Sequence, residues 1–403
     1  MKKAISILLS VLMVSALFAC SNGTGGEQSS PAGSPSASET PPASSQVPSE
    51  VPPSSSDPGA VSGLAGYITD DVDHQARRKY KICYAMPAMT IMHDNFVRAF
   101  SAVEDRFNFE FVTSASDSNN EVYLQNLEVM ASTGVDGFFV DTDPNISSRV
   151  VEVLNDIGLP YLSFVNAMVD ENNKVIAPVV MINSYHCGQI QAEWFAEHYK
   201  DYWPDVDIKD VACLSLSMTP SADLRARSEG AVETFKKLFP DNDLYFELDM
   251  SSAGMISADA AYDMAGPIFS TNPDVKYWWV NNCFEFFGQG IARLCEALDM
   301  EDRVLITSTA IDILTTEWDT GYDGNWVASE GISNYETCVP AALGLIALID
   351  GRATKETLWR ERAIPGDTYG DAFGIWYVET EMVTRDTYKD YLQKIKDKYG
   401  ITE

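Results

Sequence analysis

Between Glu121 and Pro144 the apolar positions change their period. Leu124, Leu127, Val129, Met130 and Ala131 recur at helical spacing, Thr133-Gly134 supplies a C-terminal stop, and Val135 to Val140 is a short run apolar on both faces. This is one αβ unit of a parallel sheet. A strand apolar on both sides needs helices over both. Its carboxyl end, Asp141-Thr142-Asp143-Pro144, lies where open α/β sheets place ligands.

The same rhythm runs through the chain. Lys81 to Met86 reads as the first strand, Asn95 to Arg106 as an amphipathic helix after the loop Ala88 to Asp94, and Phe109 to Val112 as the second strand. Asn119 caps the helix before Val135 to Val140; a helix from Ser147 to Asp156 and strands at Leu159 to Phe164 and Val179 to Asn183 follow. The alternation restarts with a helix from Tyr185 to Tyr199. Strands at Val211, Leu244, Val275, Val304 and Trp326 then alternate with helices at Ala222 to Leu238, Ala258 to Phe269, Cys283 to Leu298 and Asp312 to Trp318. A helix from Tyr335 to Ile349, a strand from Gly374 to Val378 and a helix from Thr387 to Lys398 close the chain. The pattern predicts an α/β protein with two doubly wound parallel-sheet lobes and right-handed crossovers, and a small ligand between them.

The first residues stand outside that pattern. Lys2-Lys3 followed by the apolar run Ala4 to Ala19 has the form of a secretory signal, and Leu17-Phe18-Ala19-Cys20 resembles a lipobox, so residues 1–20 are expected to be a signal with Cys20 lipidated. Cleavage near Ala19 without lipidation is the plain alternative. Residues 21–75 are rich in Ser, Pro, Gly and Ala and read as a tether. Such a spacer suits the outer face of the cytoplasmic membrane of a Gram-positive cell, with membrane lipid as a partner through Cys20.

Charge and cysteines narrow the partners. A formal net charge of −31 argues against nucleic acid, whose phosphates are held by Lys and Arg. Apart from Cys20, the cysteines Cys83, Cys187, Cys213, Cys283, Cys295 and Cys338 have no CxxC or zinc-like spacing. Buried free thiols are expected, and one disulfide is left open with no pair assigned.

Six segments in order resemble the type I periplasmic binding-protein family, in particular the ribose- and galactose-binding receptors of ABC transporters. They are KICYAMPAMTIMHDNFVRAF with the strand Gly134 to Val140, Gly158-Leu159-Pro160-Tyr161, Asn183-Ser184-Tyr185 with Gly188, Ala222 to Gly230, Asn272-Pro273-Asp274-Val275 with Asn281-Asn282 and Gly288, and Met382 to Asp386. The resemblance covers about residues 79 to 390. It implies a first lobe of residues 76–183 plus 331–365 and a second of 184–330 plus 366–403. Three hinge crossings are expected, near Asn183-Ser184, Glu330 to Ser333 and Ile364 to Thr368.

By resemblance, His93, Asn95 and Phe96 contact the ligand, although Phe96 equally suits the core of its helix. Arg225 falls on the family's ligand-contacting arginine, and its forked donors suit two oxygens; Arg227 fits better as an exposed arginine paired with Asp223 or Glu229. Asn282, or Asn281 one residue off, falls on the cleft asparagine, Phe284 forms a wall, and Phe286 and Phe287 belong to the core. Departures bear on the ligand. Val165-Asn166 replaces an Asp-Arg pair, Ala310 stands for a cleft aspartate with Asp312 two residues on, and Glu330 stands near a glutamine position. Asp141, Asp143, Asn166, Asp312 and Glu330 are therefore candidate ligand residues, and their acidity suits an amino-bearing or nucleoside ligand as an alternative to a sugar. Asp143 equally suits capping of the next helix near Asn145 and Ser147.

The resemblance implies a monomeric binding protein that delivers a small polar, sugar-like solute to an ABC permease. A receptor feeding a membrane kinase or chemoreceptor is the second reading, and an anchored hydrolase the third. No GxSxG, HExxH, GxxxxGK[ST] or GxGxxG motif is present, so no catalytic residue, cofactor or metal is expected.

Overall fold

The computed structural model describes residues 72–253, 256–362 and 372–401. The signal, Cys20 and nearly all of the spacer lie outside them, as does the hinge crossing expected at 364–368. No helix among the described residues is long and apolar enough to cross a membrane.

Two six-stranded sheets organise the chain. The first contains β1 (Tyr80–Met86), β2 (Phe109–Ala115), β3 (Gly137–Val140), β4 (Tyr161–Phe164), β5 (Val179–Met181) and β11 (Ile375–Tyr377), in the order β2-β1-β3-β4-β5-β11 with every pair parallel. The second contains β6 (Val211–Ser217), β7 (Tyr245–Asp249), β8 (Tyr277–Asn282), β9 (Val304–Thr309), β10 (Trp326–Gly331) and β12 (Glu381–Thr384), in the order β7-β6-β8-β9-β10-β12. Only β12 runs antiparallel, against β10.

Successive side chains of a strand point to opposite faces, and the aromatic residues use both. On β3, Phe138 joins α2 (Asn120–Ser132) and α3 (Ser147–Ile157), while Phe139 stacks on Phe100 of α1 (Ile91–Phe107) at 4.7 Å. On β8, Trp279 stacks on Phe195 of α4 (Ser184–Tyr202) at 4.8 Å, and Trp278 meets Phe269 of α6 (Ala258–Thr271) edge-on at 5.1 Å. Burying a side chain of this size stabilises the fold by roughly 2–3 kcal/mol. The helix α5 (Ala222–Leu238) lies beside α4, and α7 (Glu285–Ala297) beside α6. The short α8 (Asp312–Asp319) follows β9.

The lobes exchange chain three times. After β5 the chain enters the second lobe at α4, and after β10 it returns through α9 (Asn334–Ile349), which packs on α1 and on β3, β4 and β5. These crossings lie at Asn183-Ser184 and between Gly331 and Asn334. The third is displaced: β11 pairs with β5 in the first sheet, so the chain passes to the second lobe at 378–380, and Ile375–Tyr377 belongs to the first lobe rather than the second. The 3-10 turn His74–Ala76, capped by Asp73, likewise belongs to the folded body, because His74 packs edge-on against Phe107 at 5.4 Å.

The last helix, α10 (Tyr388–Tyr399), spans both lobes. It starts on the second, where Tyr388 donates to Asp319 at 2.7 Å. Its middle covers the hinge residue Gly331, where an added Cβ would come within 2.8 Å of the Tyr391 ring. It ends on the first lobe: Lys398 and Tyr399 both donate to Glu336 of α9, at 2.8 and 2.6 Å, and Arg106 of α1 donates to the Tyr399 carbonyl.

Candidate functional site

On the first lobe, the site is built at the carboxyl ends of β3 and β4. Asp141 follows β3 and is only 2% exposed. Its Oδ2 accepts from His93 Nε2 at 3.0 Å and its Oδ1 from Asn166 Nδ2 at 2.7 Å. His93 is buried in the first turn of α1, and Thr90 Oγ1 lies 2.6 Å from its Nδ1. Nε2 pairs with Asp141 and Nδ1 with the Thr90 hydroxyl, so both ring nitrogens are satisfied. Asn166 reaches Asp141 because the chain turns sharply at Val165. Its φ is 71°, and Asn166 N–H bonds back to the Phe164 carbonyl at 2.9 Å, which makes a γ-turn. A β-branched residue at that angle costs of order 1–3 kcal/mol, a strain that clusters at binding sites. In the second sheet Ala310, directly after β9, has φ 76°.

The second lobe contributes Asp223 and Arg227 from α5, Asn282 from β8, Glu285 from α7 and Glu330 from β10. Ser221 caps α5 through the Leu224 N–H, and α5 crosses α4 at glycine contacts. A Cβ at Gly188 would fall 1.8 Å from the Arg227 carbonyl, and one at Gly230 would fall 2.0 Å from the Tyr185 carbonyl. This close crossing presses Arg227 inward. It is 9% exposed, its Nη1 donates to the Cys283 carbonyl at 2.9 Å, and its Nε has no hydrogen-bond partner. Burial pushes the Asp223 carboxyl up, Arg227 opposes the shift, and the charge of Asp141 adds to it.

Glu330 is fully buried, and neither of its carboxylate oxygens makes a well-formed hydrogen bond; the Cys187 thiol and Thr380 hydroxyl are polar neighbours. Burial raises its pKa, and Cys187 and Arg227 counter the shift. The polar layer beside it under α4 is complete by contrast: Gln191 holds Asn281 at 2.7 Å, Thr307 at 2.8 Å and Thr309 at 3.0 Å. Asn282 donates to the Thr307 carbonyl at 2.9 Å, which leaves its buried Oδ1 unpaired. Glu285 accepts the Ile313 N–H at 2.7 Å, and burial pushes its carboxyl up to about 7.

The expected residues divide on this map. His93, Asp141 and Asn166 form one bonded cluster, and Asn282 and Glu330 are buried in the second lobe. Asn95 is half-buried two residues on from His93 in α1, and Phe284 is half-buried at the start of α7, 5.5 Å from Phe286. Asp312 is exposed at the first turn of α8. Phe96 is a core residue, 4% exposed and edge-on to Phe164 at 5.1 Å. Asp143 caps the 3-10 turn Pro144–Ile146 by accepting the Asn145 N–H at 2.9 Å.

Arg227, expected to be an exposed arginine, is the buried one of the two. Arg225 is exposed, paired with Glu229 at 3.3 Å and bonded to the Thr219 carbonyl at 3.0 Å, whereas Arg227 is buried. The signal for Arg227 lay in the helical period, since Leu224, Arg227, Ser228, Ala231 and Phe235 share the inner face of α5. Asp223 and Glu285 were not anticipated as site residues. The six cysteines among the described residues are free and buried, and burial pushes Cys83 and Cys283 up to about 12. Among the described residues no group of three or more His, Cys, Asp or Glu is placed to hold a metal.

Two α/β lobes joined by three crossings, with buried polar side chains at the facing carboxyl ends of their sheets, define a hinged binding protein of the type I periplasmic class. The chain belongs to the periplasmic binding protein domain family, whose profile matches residues 84–328. Solved structures with the same fold include an ABC transporter periplasmic solute binding protein from Actinobacillus succinogenes 130z with bound D-allose (TM-score 0.59, 13% identity, 78% of this chain and 100% of that one). Others are the arabinose binding protein AraP from Geobacillus stearothermophilus (0.58, 14%, 78% and 99%) and a periplasmic ribose ABC transporter protein from Conexibacter woesei DSM 14684 (0.61, 12%, 81% and 99%). A search of curated protein sequences finds no significant match.

Proposed function

We propose that the chain is an extracytoplasmic solute receptor that closes its lobes on a small sugar-like ligand and presents it to an ABC permease. On this reading it binds without turnover, acts as a monomer and is held to the membrane by lipid on Cys20, ahead of a spacer that lets the folded body reach its solute. Family membership and the sugar-bound relatives of the same fold support the ligand class. The observation that carries the reading is the buried Asp141, whose two oxygens are each held by one donor from the first lobe and so keep acceptor capacity for a ligand hydroxyl. Ligand contacts made by both lobes favour the closed state, because they are lost on opening.

Thermal melting of the purified protein against a panel of sugars and polyols tests this. A binding ligand at about 100 times its Kd adds about 2.7 kcal/mol to apparent stability. The expected result is a saturable shift with one ligand per chain, recovered unchanged. A panel that gives no shift, or a ligand that is consumed, overturns the reading.

A further inference from the structure

We propose that α10 is a strap across the hinge, which fixes the resting angle of the two lobes and lets them turn when its last turn leaves Glu336. The inference goes beyond the receptor reading and needs no solute.

The two ends of α10 are held in different ways. Its start follows β12, a strand of the second sheet, after a short turn, and Tyr388 adds a hydrogen bond to Asp319 at 2.7 Å and a ring contact with Trp318 at 5.2 Å. In the middle of the helix, Lys394 pairs with Glu381 of β12 at 2.8 Å. This half moves with the second lobe because the backbone joins them. The last turn meets the first lobe through hydrogen bonds alone. Glu336, in the first turn of α9, has a side chain only 7% exposed, and it accepts from Lys398 Nζ at 2.8 and 3.0 Å and from the Tyr399 hydroxyl at 2.6 Å. Arg106, in the last turn of α1, donates to the Tyr399 carbonyl.

Between its ends α10 lies on the crossings. Tyr391 packs so closely over Gly331 that a Cβ there would fall 2.8 Å from the ring. Lys398 also pairs with Glu379 at 3.4 Å, so one ammonium joins the start of α9, just past the second crossing, to the third crossing at 378–380. A helix of 12 residues is a stiff rod about 18 Å long. Bound to both lobes, it holds their angle or loses one end when they turn. The end to go is the one without backbone continuity. Its departure strips a buried carboxylate of two donors at once, so the bonded arrangement is favoured at rest. A molecule that turns the lobes has to outweigh that loss, and the strap thereby sets how readily they turn.

Spin labels on Val129→Cys of α2 and Leu298→Cys after α7, both exposed positions, read the spread of lobe separations by pulsed electron resonance without ligand. The full protein carries Cys20→Ser, and its six other cysteines are buried. The parent is expected to give one narrow distribution, and Lys398→Met with Tyr399→Phe should broaden it about two-fold or split it. Tyr388→Phe loosens only the end that β12 already holds and should leave the distribution narrow. Glu336→Gln keeps the shape of the anchor and loses its charge, so it should broaden the distribution less; it carries the test if melting curves show the double variant unfolded. Distributions as narrow as the parent's in the double variant and in Glu336→Gln overturn the proposal and leave the receptor reading standing. A parent already as broad as its variants overturns it too. Equal broadening by Tyr388→Phe does the same, because α10 would then act on the packing of the second lobe rather than on its hold over the first.

Discussion

Asp141 on the first lobe and Glu330 on the second are both buried acids, and their surroundings differ completely. Asp141 has a donor on each oxygen, from His93 and Asn166, whereas Glu330 has a well-formed bond on neither and has its pKa raised by burial. Asp141 thus has its donors before any ligand arrives, and the strained turn at Val165 aims Asn166 at it. The second wall keeps unpaired atoms on Arg227, Asn282 and Glu330. Buried polar groups left unpaired cost roughly 1–3 kcal/mol each. A ligand that pairs them recovers that cost only when the lobes are closed. On the receptor reading proposed above, Asp141 is a preformed contact and the closing force comes from the second lobe.

The largest effect that tests this contrast is expected from Arg227→Met. The change strips the Cys283 carbonyl of its donor and leaves Glu330 and Asp223 without their nearby cation. Breaking a buried charge arrangement from one side costs about 3–5 kcal/mol. Urea unfolding should report a loss of that order, and titration should report ligand binding weakened beyond measurement. A variant as stable as the parent would mean that Arg227 is not held between the two acids, and the contrast would collapse.

Glu285→Gln comes next and acts through pH. Its carboxyl is pushed up to about 7 by burial, against an ordinary value of 4.5. With the folded pKa the higher one, the stability contributed by the protonated form is complete below about 4.5 and is lost as pH rises through 7. The loss amounts to about 3 kcal/mol at pH 8. Glutamine cannot ionise and still accepts from the Ile313 N–H, so the variant should gain about 3 kcal/mol on the parent between pH 4 and pH 8. Equilibrium unfolding at the two pH values gives the number, and a gap that does not move with pH would remove Glu285 from the set of desolvated acids.

How much of this could be read from the chain depended on whether the deciding partner lay nearby in sequence. The helix Ala222–Leu238 was legible at both ends because its signals are local: Ser221 caps it, and the inner-face period ends at Phe235, one turn before Leu238. Strands buried on both faces, such as Phe138-Phe139 on β3, announced the parallel sheets. The edge strand β12 was missed as a strand, since its four residues have little buried area and their partner β10 lies some fifty residues away. The helix α1 starts at Ile91 rather than Asn95: Thr90 sits at its N-cap, and its hydroxyl pairs with the His93 ring instead of capping the backbone. The pairing of Asp141 with His93 and Asn166 joins segments 25 to 48 residues apart, and no local pattern encodes it.

Arg225→Ala is the smallest expected effect and separates the two arginines most sharply. Counted from the start of α5, Arg225 is the better candidate for the ligand. Counted back from Gly230, where α5 meets α4 too closely for any side chain, the inward position is Arg227. Arg225 has its charge spent on an exposed pair with Glu229, and its side chain remains 46% exposed. Such pairs contribute about 0.2–0.5 kcal/mol. Arg225→Ala should therefore melt within about 0.5 kcal/mol of the parent and keep its ligand affinity within a few fold. A hundred-fold loss of affinity in that variant, with Arg227 intact, would mean that the guanidinium at the rim leaves Glu229 for the ligand on closure. The closing force would then come from the outer face of α5 rather than from its buried one.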